Sequence, residues 1–230
     1  MKTFFSFLFP LVLLTTVAGA QDPSALMKQI RDRMEKISDY EAGARFKTEI
    51  SFLKVPDALV KIYYKKPDKI KIKNENGISL VPKETGSISL YSLVNSPYQA
   101  LDAGTGTIQG VPVRIIKLLP SDENGELVLA TLYIDTRRML VLKAKTTTRE
   151  SGTDEVELFY GKFLQTGLPD KIIFSFNTQD FKLPKGVTFD YDDGSEKKKQ
   201  AETGKNQRGK IEITFLDYSI NKGLPDSLFK

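Results

Sequence analysis

The stretch VPVRIIKLLPSDENGELVLATLYIDTRRMLVLKAKTTTRESGTDEVELFYGKF, residues 111–163, decides the fold. Four apolar-rich runs follow one another in it: Val111 to Leu119, Leu127 to Ile134, Met139 to Thr147 and Glu155 to Phe163. Between them stand Asp122-Glu123-Asn124-Gly125, Thr136-Arg137 and Ser151-Gly152, residues that turn a chain sharply. Connections this short leave no room for crossover helices, so successive runs must pair antiparallel in a meander.

The same period of two extends outward from this stretch. Upstream, Val60, Ile62 and Tyr64 alternate with Lys61, Tyr63 and Lys65. Ile70 and Ile72 alternate with Lys69, Lys71 and Lys73, and Asn76-Gly77 then predicts a hairpin turn into Ile78-Ser79-Leu80. Downstream, Ile172 to Phe176, Val187 to Tyr191 and Ile211 to Tyr218 read as further strands. A meander of about ten or eleven strands must curl or close rather than stay flat. The expected fold is therefore α+β, mainly antiparallel β, an incomplete half-open β-barrel.

Two helices are expected beside this sheet. Asp22-Pro23 is a cap followed by proline at the first helical position, and Leu26, Ile30, Met34 and Ile37 form an apolar stripe after it. That predicts an N-terminal amphipathic helix of roughly 15 residues, ending near Tyr40 to Gly43. Ser96-Pro97 reads as a second start, so Tyr98 to Ala103 is expected to be a short helix stopped by Gly104.

Residues 1–20 stand apart. Lys2, the apolar stretch Phe4 to Val17 and the small residues Ala18-Gly19-Ala20 have the form of a signal peptide, leaving 21–230 as a single domain. No cysteine follows the apolar run, so the expected product is exported without a lipid anchor.

Composition narrows the chemistry further. The 230 residues include no His, no Cys and no Trp, which removes imidazole bases, thiolate nucleophiles, disulfides and the usual zinc ligands. Asp190, Asp192 and Asp193 are the densest acidic cluster, but the spacing of a calcium loop is missing around them. Ser51 and Lys54 match the spelling of a Ser-Lys dyad, yet on a strand residues three apart face opposite sides. Gly104, Gly106 and Gly110 lack the spacing of a phosphate loop. The formal charge of +5 has its densest run in Lys197 to Lys210, read as a long polar hairpin loop. That run holds no aromatic residue for base stacking, so no nucleic-acid partner is expected. No enzyme activity, no cofactor and no metal are implied.

What remains is apolar. Val60, Ile62, Tyr64, Ile70, Ile72, Leu80, Leu90, Phe174, Phe176, Phe189, Ile213 and Phe215 fall at positions expected to share one sheet face. Two short helices cover little of a curved sheet this large, so part of that face is expected to line a cavity for acyl chains.

The order of elements and several short motifs resemble the periplasmic lipoprotein carriers, a superfamily that includes the outer-membrane lipoprotein receptor and an anti-sigma-factor regulator. The residues that carry the likeness are Lys66-Pro67-Asp68-Lys69-Ile70-Lys71, similar to a Pro-x-x-(Phe/Ile)-(Arg/Lys) strand start, and Asn76-Gly77 at its turn. Gly110-Val111-Pro112-Val113, Leu118-Leu119-Pro120, Leu132-Tyr133-Ile134-Asp135 and Leu183-Pro184-Lys185-Gly186-Val187 extend it. The resemblance implies a half-barrel whose helices form a lid over a hydrophobic cavity holding acyl chains of lipoproteins or other lipids. It implies a monomeric carrier that meets an inner-membrane release complex and an outer-membrane acceptor. In the carrier a strand arginine holds the lid shut; the matching residue here is Lys71, a point charge without the planar fork. Lys71, Pro97, Tyr98 and Leu101 are then the expected lid or mouth. The alternative within the same fold is an envelope-stress sensor or scaffold that binds protein partners.

Overall fold

The computed structural model describes residues 22–50, 53–54, 56–76, 90–150, 152–177 and 208–229. The expected signal peptide, Leu80, Phe189, the strand Val187 to Tyr191, the aspartates 190, 192 and 193 and most of the basic run lie outside them.

Helix α1 (Pro23–Met34) starts where the sequence places it. The Asp22 carboxylate accepts the N–H of Ser24 at 3.0 Å, and Pro23 occupies a position that needs no donor. Leu26, Met27 and Ile30 form its buried stripe. It stops earlier than expected, because Asp39 already belongs to strand β1 (Asp39–Ile50). The Asp39 carboxylate, 4% exposed, accepts the N–H groups of Lys222 and Gly223 at 2.9 and 3.1 Å, which fixes the strand start to the C-terminal turn. Ile37 therefore lies in the connection and not on the helix.

The chain continues through β2 (Leu53–Lys54), β3 (Ala58–Lys65), β4 (Lys69–Asn76), helix α2 (Leu90–Asn95) and β5 (Tyr98–Ile108). Strands β6 (Val111–Pro120), β7 (Leu127–Asp135), β8 (Leu140–Thr148) and β9 (Gly152–Phe159) are the expected meander. Strands β10 (Lys171–Asn177), β11 (Arg208–Phe215) and β12 (Ser219–Ile220) close the order. Arg208 and Lys210, read as loop, are the first turn of the sheet's last long strand. Residues 160–163, read as strand, turn instead, because the Asp170 carboxylate takes the N–H groups of Gly161 and Lys162.

All pairings are antiparallel, and the long strands run β4-β3-β1-β11-β10-β9-β8-β7-β6-β5 in one sheet. The sheet is not closed: β4 and β5 end the order. The short β2 and β12 pair with β1 at its two ends. Turn chemistry accounts for the meander. At the β7–β8 turn the buried Asp135 carboxylate accepts the N–H groups of Arg137 and Arg138 at 3.0 and 3.2 Å. The two Gly-Leu-Pro-Asp segments both open on a left-handed glycine, φ 78° at Gly167 and 76° at Gly223.

The expected helix over Tyr98 to Ala103 is not formed; that segment is strand, and the helix lies just upstream at Leu90–Asn95. Pro97 follows the helix instead of starting it. The residue before a proline is pushed out of the helical region, so Ser96 ends α2 and the chain leaves extended.

Candidate functional site

Cross-strand register puts one side chain row after another on a single face. Ile70 stands opposite Tyr64, and Tyr64 opposite Tyr40. Ile72 pairs with Ile62 and Ile62 with Ala42; Val60 pairs with Ala44 and Ala44 with Phe215. Ala58, Phe46, Ile213, Ile172 and Leu158 form a further row, and Ile211, Phe174, Val156, Ala144, Leu132 and Ile116 another. Val60, Ile62, Tyr64, Ile70, Ile72, Phe174, Phe176, Ile213 and Phe215 of the expected set thus share the face. Leu90 joins them from α2, partly buried against the core.

The face is covered unevenly. Leu26, Met27 and Ile30 of α1 and Leu93 and Val94 of α2 pack on Ile116, Leu118, Leu132, Ile134, Val141 and Leu158, the β6–β9 half. The β1–β3–β11 half holds a second cluster, Ala42, Ala44, Phe46, Ala58, Val60, Ile62 and Phe215, each at most 7% exposed, to which no residue of α1 or α2 belongs. Along its margins Ile72, Ile172 and Ile213 are only half-buried, and Ile70 is 40% exposed. The small side chains Ala42 and Ala44 keep the floor of this half low.

Polar side chains near the β3–β4 turn fix α2. Arg31 of α1 donates to the Val94 carbonyl and to the Tyr98 hydroxyl, both at 3.1 Å. A cation on the last carbonyls of a helix meets the negative end of its dipole. The Tyr91 hydroxyl donates to the Glu35 carboxylate, which also accepts from Lys66 at 2.7 Å. Lys66, then Tyr91, hold the Glu35 carboxyl below its ordinary range, and the bond to Glu35 pushes the Tyr91 hydroxyl up to about 12. The docking of α2 therefore runs through Arg31, Glu35, Lys66 and Tyr91, of which the sequence marked only Lys66, and that as part of a strand-start motif.

The expected lid residues are distributed differently. Lys71 pairs in register with Tyr63, on the face opposite Ile70 and Ile72, and its ammonium donates to the Leu228 carbonyl at 2.6 Å. Pro97 is exposed. Leu101, 40% exposed, stands opposite Lys117, away from the apolar face. Tyr98 alone of the four takes part in holding α2, through Arg31 and through its own bond to the Val94 carbonyl at 3.3 Å.

The outer face carries the charges, and they are matched across strands. Lys143 lies 2.7 and 3.0 Å from Glu155 and Glu157, and Lys145 lies 3.0 Å from Glu155. Burial would raise the Glu155 carboxyl, but the hydrogen bonds from Lys143 and Lys145 outweigh it and hold the group at about 2. Lys61 faces Glu41 and Glu75, and Lys65 and Lys69 share Asp226 of the C-terminal segment. Lys61, Lys65 and Lys69 are thus engaged with carboxylates and Lys71 with the Leu228 carbonyl, while Lys73 lies over the Tyr63 ring, 5.4 Å from its centroid. A hollow of about 200 Å³ lies among Glu41, Lys61, Glu75 and Asp217 and beside Leu59, Val60 and Leu216, with a lining as polar as it is apolar.

This architecture has solved counterparts. A LolA-superfamily protein from Nitrosomonas europaea superposes with a TM-score of 0.58 at 11% identity, over 92% of this chain and 98% of its own. A domain described as outer-membrane lipoprotein-sorting, from Vibrio parahaemolyticus, gives 0.56 at 12% identity, over 90% and 95%. The fold is that of the lipoprotein-sorting proteins. A DUF1329-family protein from Desulfovibrio piger shares it as well, with a TM-score of 0.56 at 12% identity over 91% and 98%. No family model matches the sequence, and neither does any curated protein. What this fold brings together here is one apolar face, packed against α1 and α2 in its β6–β9 half, while among the described residues neither helix joins the cluster of its β1–β3–β11 half. No helix among the described residues is long and apolar enough to cross a membrane.

Proposed function

We propose that the protein is a periplasmic carrier, exported by its N-terminal segment, that binds acyl chains of lipoproteins or other lipids in the trough over β1, β3, β4, β10 and β11. The observation that carries this reading is the second apolar cluster, which runs row by row on the same face as the core and is buried although neither α1 nor α2 belongs to it. The fold shared with lipoprotein-sorting proteins supports it. Binding rather than catalysis follows from what the face offers, since acyl chains need apolar walls and no titrating groups. A chain of fourteen carbons releases roughly 11 kcal/mol on burial at about 0.8 kcal/mol per CH₂, and a bilayer offers the same. Transfer is then close to neutral, and direction comes from an inner-membrane release complex at one end and an outer-membrane acceptor at the other.

Native mass spectrometry of the purified protein is expected to show adducts in the mass range of lipids, lost on exchange into organic solvent. Protein that is empty in every preparation and also fails to bind a fluorescent fatty-acid analogue would overturn the proposal.

A further inference from the structure

Residues 221–229 lie along the β3–β4 margin of the sheet and are fixed in two different ways. The first of them are set at the α1–β1 junction. The Asn221 side chain accepts the N–H of Ser38 at 2.7 Å and donates to the Lys36 carbonyl at 2.8 Å, and the Asp39 carboxylate takes the N–H groups of Lys222 and Gly223. The later ones are held by lysines of the outer face. Lys65 of β3 donates to the Leu224 carbonyl and to the Asp226 carboxylate, both at 2.8 Å. Lys69 of β4 reaches Asp226 at 3.1 Å, and Lys71 of β4 reaches the Leu228 carbonyl. Asp226 is thereby shared between two neighbouring strands, and the hydrogen bonds from Lys65 and Lys69 hold its carboxyl below the ordinary range.

Strand β4 has particular need of such a tie. It ends the sheet order, so among the described strands it pairs with β3 alone. Elsewhere on the outer face Lys47, Lys143, Lys145 and Lys210 stand opposite Glu212, Glu157, Glu155 and Glu49. Between β3 and β4 the opposed residues are instead Lys65 with Lys69 and Lys61 with Lys73. Like charges directly opposite destabilise a strand pair, and Asp226, bridging both members of the first pair, offsets their repulsion. On the inner face Ile72 stands opposite Ile62 and Ile70 opposite Tyr64. Ile70 is 40% exposed, whereas Ile62 and Tyr64 behind it are 6% and 8% exposed. Strand β4 is therefore the outermost cover of the second apolar cluster along this margin, and any outward movement of it takes a cross-strand neighbour from Ile62.

We propose that residues 224–229 are a latch that clamps the edge strand β4 to β3, and that its release opens the margin of the buried second cluster to an acyl chain. The entry step rests on the acyl-binding reading above; the clamp does not. Two measurements on the full chain test them, amide hydrogen exchange and the association rate of a fluorescent fatty-acid analogue. Both are made for the wild type, for Asp226→Asn and for Asp226→Asn combined with Lys69→Met. In Asp226→Asn, exchange over residues 69–76 should accelerate by about threefold to tenfold while that of β7 and β8 is unchanged. Adding Lys69→Met removes the like-charge opposition and should restore most of the protection. Association of the analogue should rise by a similar factor in Asp226→Asn and fall back in the double variant. Unchanged exchange of β4 in Asp226→Asn would overturn the latch, as would equal acceleration throughout the sheet. A double variant that exchanges as fast as Asp226→Asn would also overturn it, because the repulsion that the latch restrains would then be absent. Faster exchange with an unchanged association rate would overturn the entry step. A wild type that binds no analogue would instead remove the acyl-binding reading, with the exchange data still deciding the clamp.

Discussion

At the scale of single residues, two positions show how the sheet tolerates its own crowding. Gly209 stands opposite Phe176, and a Cβ placed on Gly209 would collide with the outer edge of the Phe176 ring. The aromatic ring fills the space that the missing side chain leaves. Gly209→Val is expected to displace Phe176 and to destabilise the fold by about 2 kcal/mol, read as a lowered urea midpoint; an unchanged midpoint would contradict the packing described. On the other face, Glu155 is held at about 2 against an ordinary 4.5. Its folded-state pKa is depressed, so its contribution to stability is complete above 4.5 and is lost as the pH falls from there towards 2. Urea midpoints measured through that range should fall more steeply for the wild type than for Glu155→Gln. Parallel slopes would show that the Lys143 and Lys145 bonds contribute nothing. Neither position was legible beforehand, because each depends on a partner from another strand.

Among the elements, what the sequence revealed depended on how one-sided each element is. Strands β3, β6, β7 and β8 alternate large apolar with polar residues and were plain to read. Strand β1 was not, because its inward positions include Ala42 and Ala44, small residues with little β preference, and because Gly43 sits between them. Strand β5 ends the sheet's order and is exposed at most positions, so no apolar stripe announces it. Ser96-Pro97 then drew the helix to the wrong side of the proline. Helix α2, of six residues, is too short to hold itself, and its stability must come from its contacts. Arg31→Ala removes the cation on Val94 and the bond to Tyr98. Hydrogen exchange of the α2 amides should accelerate by about tenfold while that of β7 and β8 stays unchanged. Equal acceleration throughout would mean that Arg31 supports the whole fold and not this helix.

For the molecule as a whole, the sequence conveyed the architecture and the apolar face of the sheet. The continuous apolar face followed from alternation alone. The uneven covering of that face did not, since it depends on where α1 and α2 dock, and those contacts are made by charged residues that look like ordinary surface. The sheet order carries a further consequence, in time rather than space. Strand β1, formed from residues 39–50, lies in the middle of the sheet, between β3 and β11. Its β3 neighbour arrives within twenty residues, whereas its other neighbour, β11, begins only at residue 208. The β1–β11 pairing therefore cannot form until all of the intervening chain has been made, and the cost of closing so long a loop is met before any contact repays it. Until then the inner flank of β1 is an open strand edge, and the nascent protein is prone to mispairing throughout that interval.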